Sequence, residues 1–174
     1  MPWSDARVLD APGNPLARWR PSGRKVAGVA HPTHNDAVAI VTGGSRGTGR
    51  EIAGELASRG CAVVVVYLRD QGEAETTVDG ILAAHAAALA VRADVTDELD
   101  VERLFDETKA VFGRVDLVVH AATRGASIVN QEAARQLRRG GAIVAASGCD
   151  AAHDVADLVA LLDQCRASPG GTAT

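Results

Sequence analysis

The residues of this chain best suited to chemistry lie in Thr42–Arg50, TGGSRGTGR, where glycines recur at 43, 44, 47 and 49. Glycine takes left-handed backbone angles without a Cβ penalty, and three of these positions have separate uses. Gly43 permits a tight turn, Gly47 lets bare backbone approach a pyrophosphate, and Gly49 lets a helix pack closely on the preceding strand. With Ser45, Arg46 and Thr48 between them, they form a turn whose unpaired N–H groups face an anion at the positive end of a helix dipole. The pattern predicts dinucleotide phosphate binding if a strand precedes it and a helix follows.

Acid–base and nucleophilic chemistry is less well supplied. Tyr67 is the only tyrosine, Lys25 and Lys109 are the only lysines, and none stands four residues after Tyr67. His120, Cys149, Asp150 and His153 are candidate acids or bases near strand ends, but they form no constellation. Cys149 and His153 are four apart, a helix-face spacing, yet ordinary packing accounts for both. Cys61, Cys149 and Cys165 have no CxxC spacing, so neither a zinc site nor a disulfide framework is expected, and a reducing cytoplasm fits best.

Apolar strands alternating with amphipathic helices must position these groups from Ala37 onward. AVAIVT (37–42) is a short continuous apolar run, as a strand buried on both faces requires, and CAVVVVYL (61–68) is rich in β-branched valine. Further strands are expected at ALAVRADV (88–95), RVDLVVHAA (114–122) and AIVAAS (142–147). Helices are expected at 47–60 with Gly60 as stop, 71–87, 96–113 with Thr96 as N-cap and Gly113 as stop, 130–141, and 151–165. The order βαβαβαβαβα predicts an α/β fold, a doubly wound parallel Rossmann-type sheet of about five strands. Residues 1–35, rich in proline and arginine and without helical or strand periodicity, read as a flexible N-terminal extension; residues 36–174 form the dinucleotide-binding domain.

TGGSRGTG resembles the TGxxxGxG turn of the short-chain dehydrogenase/reductase family. Asp94-Val95 after the third strand, HAA at 120–122 in place of the family's NAG, and RRGGAIVAAS in place of GGxIVNISS extend the resemblance from Ala37 to about Cys149. It implies that Asp94 bonds the adenine amino group and that Val95, Ala121 and Ala122 lie against adenosine. His120 replaces the family asparagine and is expected to be satisfied by neighbouring backbone.

A carboxylate at the end of the second strand holds the ribose hydroxyls in NAD sites. Tyr67 stands there instead, with Asp70 only in the following turn. Arg46 and Arg69 match positions where NADP-preferring members carry basic residues, and a guanidinium fork suits phosphate. The expected cofactor is NADP(H) over NAD(H).

Family catalysis rests on a YxxxK pair and a serine after the fifth strand. This sequence has no YxxxK; Ser147 is a weak match to the serine, and Asn130 is not equated with the family's catalytic asparagine. After Gly148 the chain passes almost directly to HDVADLVALL, similar to a late family segment. Three readings stay open: a cofactor-binding but catalytically degenerate member, an oxidoreductase with an unconventional proton donor or a partner chain, and a structural remnant without useful affinity. A net charge of −4 argues against nucleic acid as partner, and no apolar run is long enough to span a membrane. The expected partner is a nicotinamide dinucleotide, with a homo-oligomer left open.

Overall fold

The computed structural model describes residues 8–9, 15–16, 37–122, 124–137, 141–146 and 160. Its elements are β1 (Val8–Leu9), β2 (Pro15–Leu16), β3 (Val38–Thr42), α1 (Gly47–Ser58), β4 (Ala62–Tyr67), α2 (Gln71–Ala83), β5 (Ala88–Arg92), α3 (Glu98–Phe112), β6 (Leu117–His120), α4 (Ala126–Gln136) and β7 (Ala142–Ala145). The sheet order is β2-β1-β5-β4-β3-β6-β7. The five strands from β3 to β7 pair in parallel, as the alternating pattern predicts. β1 and β2 add an antiparallel margin beside β5, which the composition of the leading segment does not announce.

Alternate residues of the central strands feed two apolar layers. Ala39, Val41, Val63 and Val65 pack with Ile52 and Leu56 of α1 and Val78 and Ile81 of α2. Val38, Ile40, Val64 and Val118 join Leu104 and Phe105 of α3 and Val129 of α4. Helices therefore cover both faces, which is why β3 and β4 are almost wholly apolar, Thr42 at the end of β3 apart, and buried at every position. Connections run outward from β3 in both directions, so the strand order reverses between β3 and β6, where open α/β sheets leave a crevice at their carboxyl ends.

Several boundaries depart from expectation. Asp97, not Thr96, caps α3: its carboxylate accepts the N–H of Leu99 at 2.9 Å and of Asp100 at 3.2 Å, while the Thr96 hydroxyl donates to Asp94 at 2.6 Å. α2 stops at Ala83, because His85 turns left-handed with φ of 61°. α4 begins at Ala126, four residues before the expected start, behind Gly125 with φ of 82°. Gly60 and Gly113 do stop their helices, with φ of 80° and 78°. Of the expected last helix, 151–165, only Ala160 lies within the described residues, and it is helical.

Candidate functional site

The glycine turn joins the carboxyl end of β3 to α1, and its glycines do different physical work. Gly43 has φ of 69°, and a Cβ on it would stand 3.2 Å from the Ala122 nitrogen, so the turn rests on the loop after β6. Gly47 has φ of 56°, and a Cβ there would meet nothing within 4 Å. A Cβ on Gly49 would fall on the Gly43 carbonyl, 2.8 Å from its carbon, so α1 can start here only without a side chain. Arg46, the N-cap of α1, is extended and supplies no side-chain cap, and no acid lies in the first turn. The leading N–H groups of Gly47, Thr48 and Gly49 thus keep the polarity that favours an anion.

Ser45 is buried, and its carbonyl accepts Arg50 Nε at 3.0 Å, Arg50 Nη2 at 2.6 Å and the Thr77 hydroxyl at 3.2 Å. Arg50 also reaches Thr77 Oγ1 at 3.0 Å and pairs with the Glu73 carboxylate. Sequence reasoning missed this clasp between turn and α2. Its only trace in the sequence is an arginine in the first turn of an amphipathic helix, beside an ordinary Glu–Thr spacing of four in α2.

The ends of the neighbouring strands complete the same edge. Tyr67, buried at the end of β4, packs with the α1 and α2 layer, and Arg69 follows it on the exposed surface. Arg46 pairs with Asp70 at 2.9 Å, with both side chains substantially exposed. Thus the acid that the sequence places one turn too late still reaches the glycine turn. After β5, Asp94 Oδ1 accepts the Thr96 N–H at 2.9 Å and its hydroxyl. These two bonds, the side-chain bond first, hold the carboxyl below its ordinary range; the Arg69 charge adds to them against slight desolvation.

Thr42 and His120 are register partners at the ends of β3 and β6. Their side chains meet at 2.9 Å between Oγ1 and Nδ1. The histidine meets a side-chain hydroxyl here, and the main chain at Arg124 also acts on its ring, as a strand-end histidine beside backbone is expected to show; in-register parallel strands put the Thr42 and His120 side chains on one face. The Ala122 N–H approaches the same hydroxyl at 3.5 Å and the Ala121 N–H donates to the Thr42 carbonyl at 3.2 Å. Which of the Thr42 hydroxyl and Nδ1 donates depends on the imidazole tautomer. Among the described residues the buried His120 Nε2 makes no hydrogen bond of ordinary geometry. Burial lowers the imidazole pKa from its ordinary value near 6.5, opposed by the main chain at Arg124.

Gly125 is a second feature the sequence reading passed over. A Cβ there would collide with the Val95 carbonyl, 2.6 Å from its carbon, so the loops after β5 and β6 touch backbone to backbone. The only signal was a glycine placed just before a helix.

All expected phosphate and adenosine contacts, Gly43 to Gly49, Tyr67, Arg69, Asp94, Val95 and His120 to Ala122, thus sit along one carboxyl edge over four adjacent strands. Asn130 lies exposed on α4. Ser147, Cys149, Asp150 and His153 lie outside the described residues. Among the described residues no cluster of histidine, cysteine and carboxylate side chains suits a metal ion, and no helix is long and apolar enough to cross a membrane.

The family model for short chain dehydrogenases matches residues 37–140. "Short chain dehydrogenase claC" of Passalora fulva is 36% identical over 133 residues, covering 63% of this chain and 50% of that protein. "Elsinochrome reductase 1" of Elsinoe fawcettii is 36% identical over 130 residues, covering 62% and 49% respectively. The chain thus spans about half the length of these two relatives. Among solved structures, a short chain dehydrogenase from Burkholderia cenocepacia in complex with NADP superposes with a TM-score of 0.59 at 30% identity, over 71% of this chain and 64% of that one. A short-chain dehydrogenase/reductase from Serratia marcescens gives 0.59 at 27% identity, over 72% and 65%. The match begins at the first core strand and runs through the glycine turn and helices α1 to α4, and on that ground the chain belongs to the short-chain dehydrogenase family, whose members are oxidoreductases that bind a nicotinamide dinucleotide.

Proposed function

We propose that this chain binds NADP(H) in preference to NAD(H) and does not itself perform the family's carbonyl reduction, acting instead as a cofactor-binding or regulatory module. The observation that carries the reading is the glycine turn: left-handed at Gly43 and Gly47, open at Gly47, and continuous with an uncapped helix N-terminus. Such a cradle fits a pyrophosphate, held by backbone N–H groups and the helix dipole. Tyr67, Arg69, Asp94 and the backbone of Ala121 and Ala122 would flank the adenosine.

Selectivity follows from charge. An exposed ion pair such as Arg46–Asp70 contributes at most about 1 kcal/mol, whereas a charge-assisted phosphate contact contributes roughly 1.5 to 3 kcal/mol. A 2′-phosphate therefore competes successfully with Asp70 for Arg46, and Arg69 stands beside it. The Burkholderia neighbour's NADP supports this choice by analogy.

A bound nicotinamide supplies hydride chemistry of its own, but carbonyl reduction also needs a positioned proton donor. Tyr67 is at the adenosine end of the sheet, buried among apolar side chains. The Thr42 hydroxyl occupies His120 Nδ1, and burial keeps the ring neutral, so it is a poor acid near pH 7. Without a donor the reaction loses roughly the 10²- to 10⁴-fold that general acid catalysis contributes. The names of the relatives favour a second reading, reductase activity with a proton donor supplied by another chain. Steady-state NADPH oxidation over ketones, aldehydes and quinones tests both readings. We expect turnover at least about a hundredfold below a family-like rate, and turnover near the enzyme median of about 10 per second would overturn the proposal.

A further inference from the structure

Resting on the dinucleotide-binding reading above, we infer that Arg50 is a positioning residue: it turns the Ser45 carbonyl onto α2 and thereby aims the Arg46 N–H outward, at the pyrophosphate. Between Thr42 and Arg50 the turn contains four glycines, each adding conformations that a ligand would otherwise have to suppress. The N-cap side chain gives the helix end no capping hydrogen bond. Something else must hold the turn in one shape before a ligand arrives, and the contacts at Ser45 do so.

Arg50 occupies the first turn of α1, and its N–H closes the first helical bond to the Arg46 carbonyl at 3.3 Å. Its guanidinium folds back toward α2 and gives Ser45 O two bonds, at 3.0 and 2.6 Å. The buried Thr77 hydroxyl lies within reach of the same oxygen and of Glu73 O, at 3.2 and 3.0 Å. A trans peptide is planar, with its carbonyl and N–H pointing in opposite directions. Fixing the Ser45 oxygen toward α2 therefore fixes the Arg46 N–H on the opposite side of the turn. The Glu73 carboxylate neutralises the guanidinium, so Arg50 acts by holding backbone and not as a phosphate ligand. The clasp also ties the turn to the helix whose N-cap, Asp70, pairs with Arg46.

Preorganisation of this kind contributes to affinity by removing an ordering cost from binding. It acts only on ligands that carry the bridging phosphates. The test is titration of the full chain and its Arg50→Met, Arg50→Lys and Thr77→Val variants with NADPH and with adenosine 2′-monophosphate, which lacks the pyrophosphate. Arg50→Met should weaken NADPH tenfold or more while changing adenosine 2′-monophosphate less than twofold. Arg50→Lys, with charge but no fork, should fall between it and the unmodified chain, and Thr77→Val should weaken NADPH about threefold. Equal weakening of both ligands in Arg50→Met would reduce the residue to general structural support, and unchanged NADPH affinity would overturn the inference directly. If Arg50→Met does not fold, Thr77→Val carries the same contrast between ligands. An unmodified chain that binds adenosine 2′-monophosphate but not NADPH would remove the pyrophosphate reading itself, and the inference with it.

Discussion

Two corners of the carboxyl edge are built differently. At the β3–α1 corner the turn is held from several sides: Gly49 lets α1 sit on the Gly43 carbonyl, the loop after β6 supports Gly43, and Arg50 with Thr77 fixes Ser45. At the β6–β7 corner, Ile143 is exposed, β7 is only half-buried at alternate positions, and among the described residues His120 Nε2 makes no hydrogen bond of ordinary geometry. The first corner is the one proposed to hold phosphates. The difference shows that such a turn can be held mostly by the strand and two helices around it, with the loop after β6 as its one support from far along the chain among the contacts named. A reacting centre needs groups from distant parts of the chain, and YxxxK does not occur in this sequence.

The largest effects should come from the glycines that let backbones touch, one at each corner. Gly125→Ala would force a Cβ onto the Val95 carbonyl at a left-handed φ of 82°. Overpacking of about 1 to 3 kcal/mol adds there to a left-handed penalty of about 1 to 2 kcal/mol. Gly49→Ala should show the overpacking part alone. Urea unfolding of the two variants checks the order, and an unchanged midpoint for either would contradict the close approach at that corner.

Arg69→Ala should weaken NADPH by roughly 1.5 to 3 kcal/mol, the loss of one charge-assisted contact, and leave NADH unchanged. Paired titrations read this, and parallel losses for both cofactors would place Arg69 away from the 2′-phosphate. Gly47→Val should cut NADPH affinity tenfold or more, at least about 1.4 kcal/mol. It fills the open side of the cradle and strains a left-handed φ of 56°. Full NADPH affinity in a folded Gly47→Val variant would show that the phosphates do not use this turn.

The smallest effect belongs to the second corner and appears only as a pH dependence. His120 titrates below its ordinary value near 6.5 in the folded chain because burial disfavours the charged ring. The unfolded chain therefore binds the proton first. The stability held above pH 6.5 should fall as pH drops through that value toward the folded pKa. Urea midpoints from pH 8 to 5.5 measure the slope, which His120→Asn should flatten. An equal slope in the variant would assign it to other groups.

The sequence made the repeating units and the glycine turn legible because both depend on local pattern. Continuous valines announced β4, and Gly43, Gly47 and Gly49 announced a turn between strand and helix. What it did not reveal depends on contacts between segments far apart in the chain. Thr42 meets His120 only because β3 and β6 are adjacent in register, and Gly125 matters only because the loop after β5 lies against it. Arg50 reads as an ordinary helix residue until α2 brings Thr77 and Glu73 to it. Asp70 was correctly placed beyond β4, yet its approach to Arg46 depends on how α2 starts. Ser147, the weak serine candidate, lies beyond the described part of the last strand.

The central claim, that the glycine corner binds a phosphorylated dinucleotide, is tested most directly by calorimetric titration of the unmodified chain with NADPH and, separately, NADH. The account predicts saturable one-to-one binding of NADPH, at least tenfold tighter than NADH, a difference of about 1.4 kcal/mol. Equal affinity for the two would contradict the assignment of Arg46 and Arg69, and no heat from either at millimolar concentration would contradict the binding site itself.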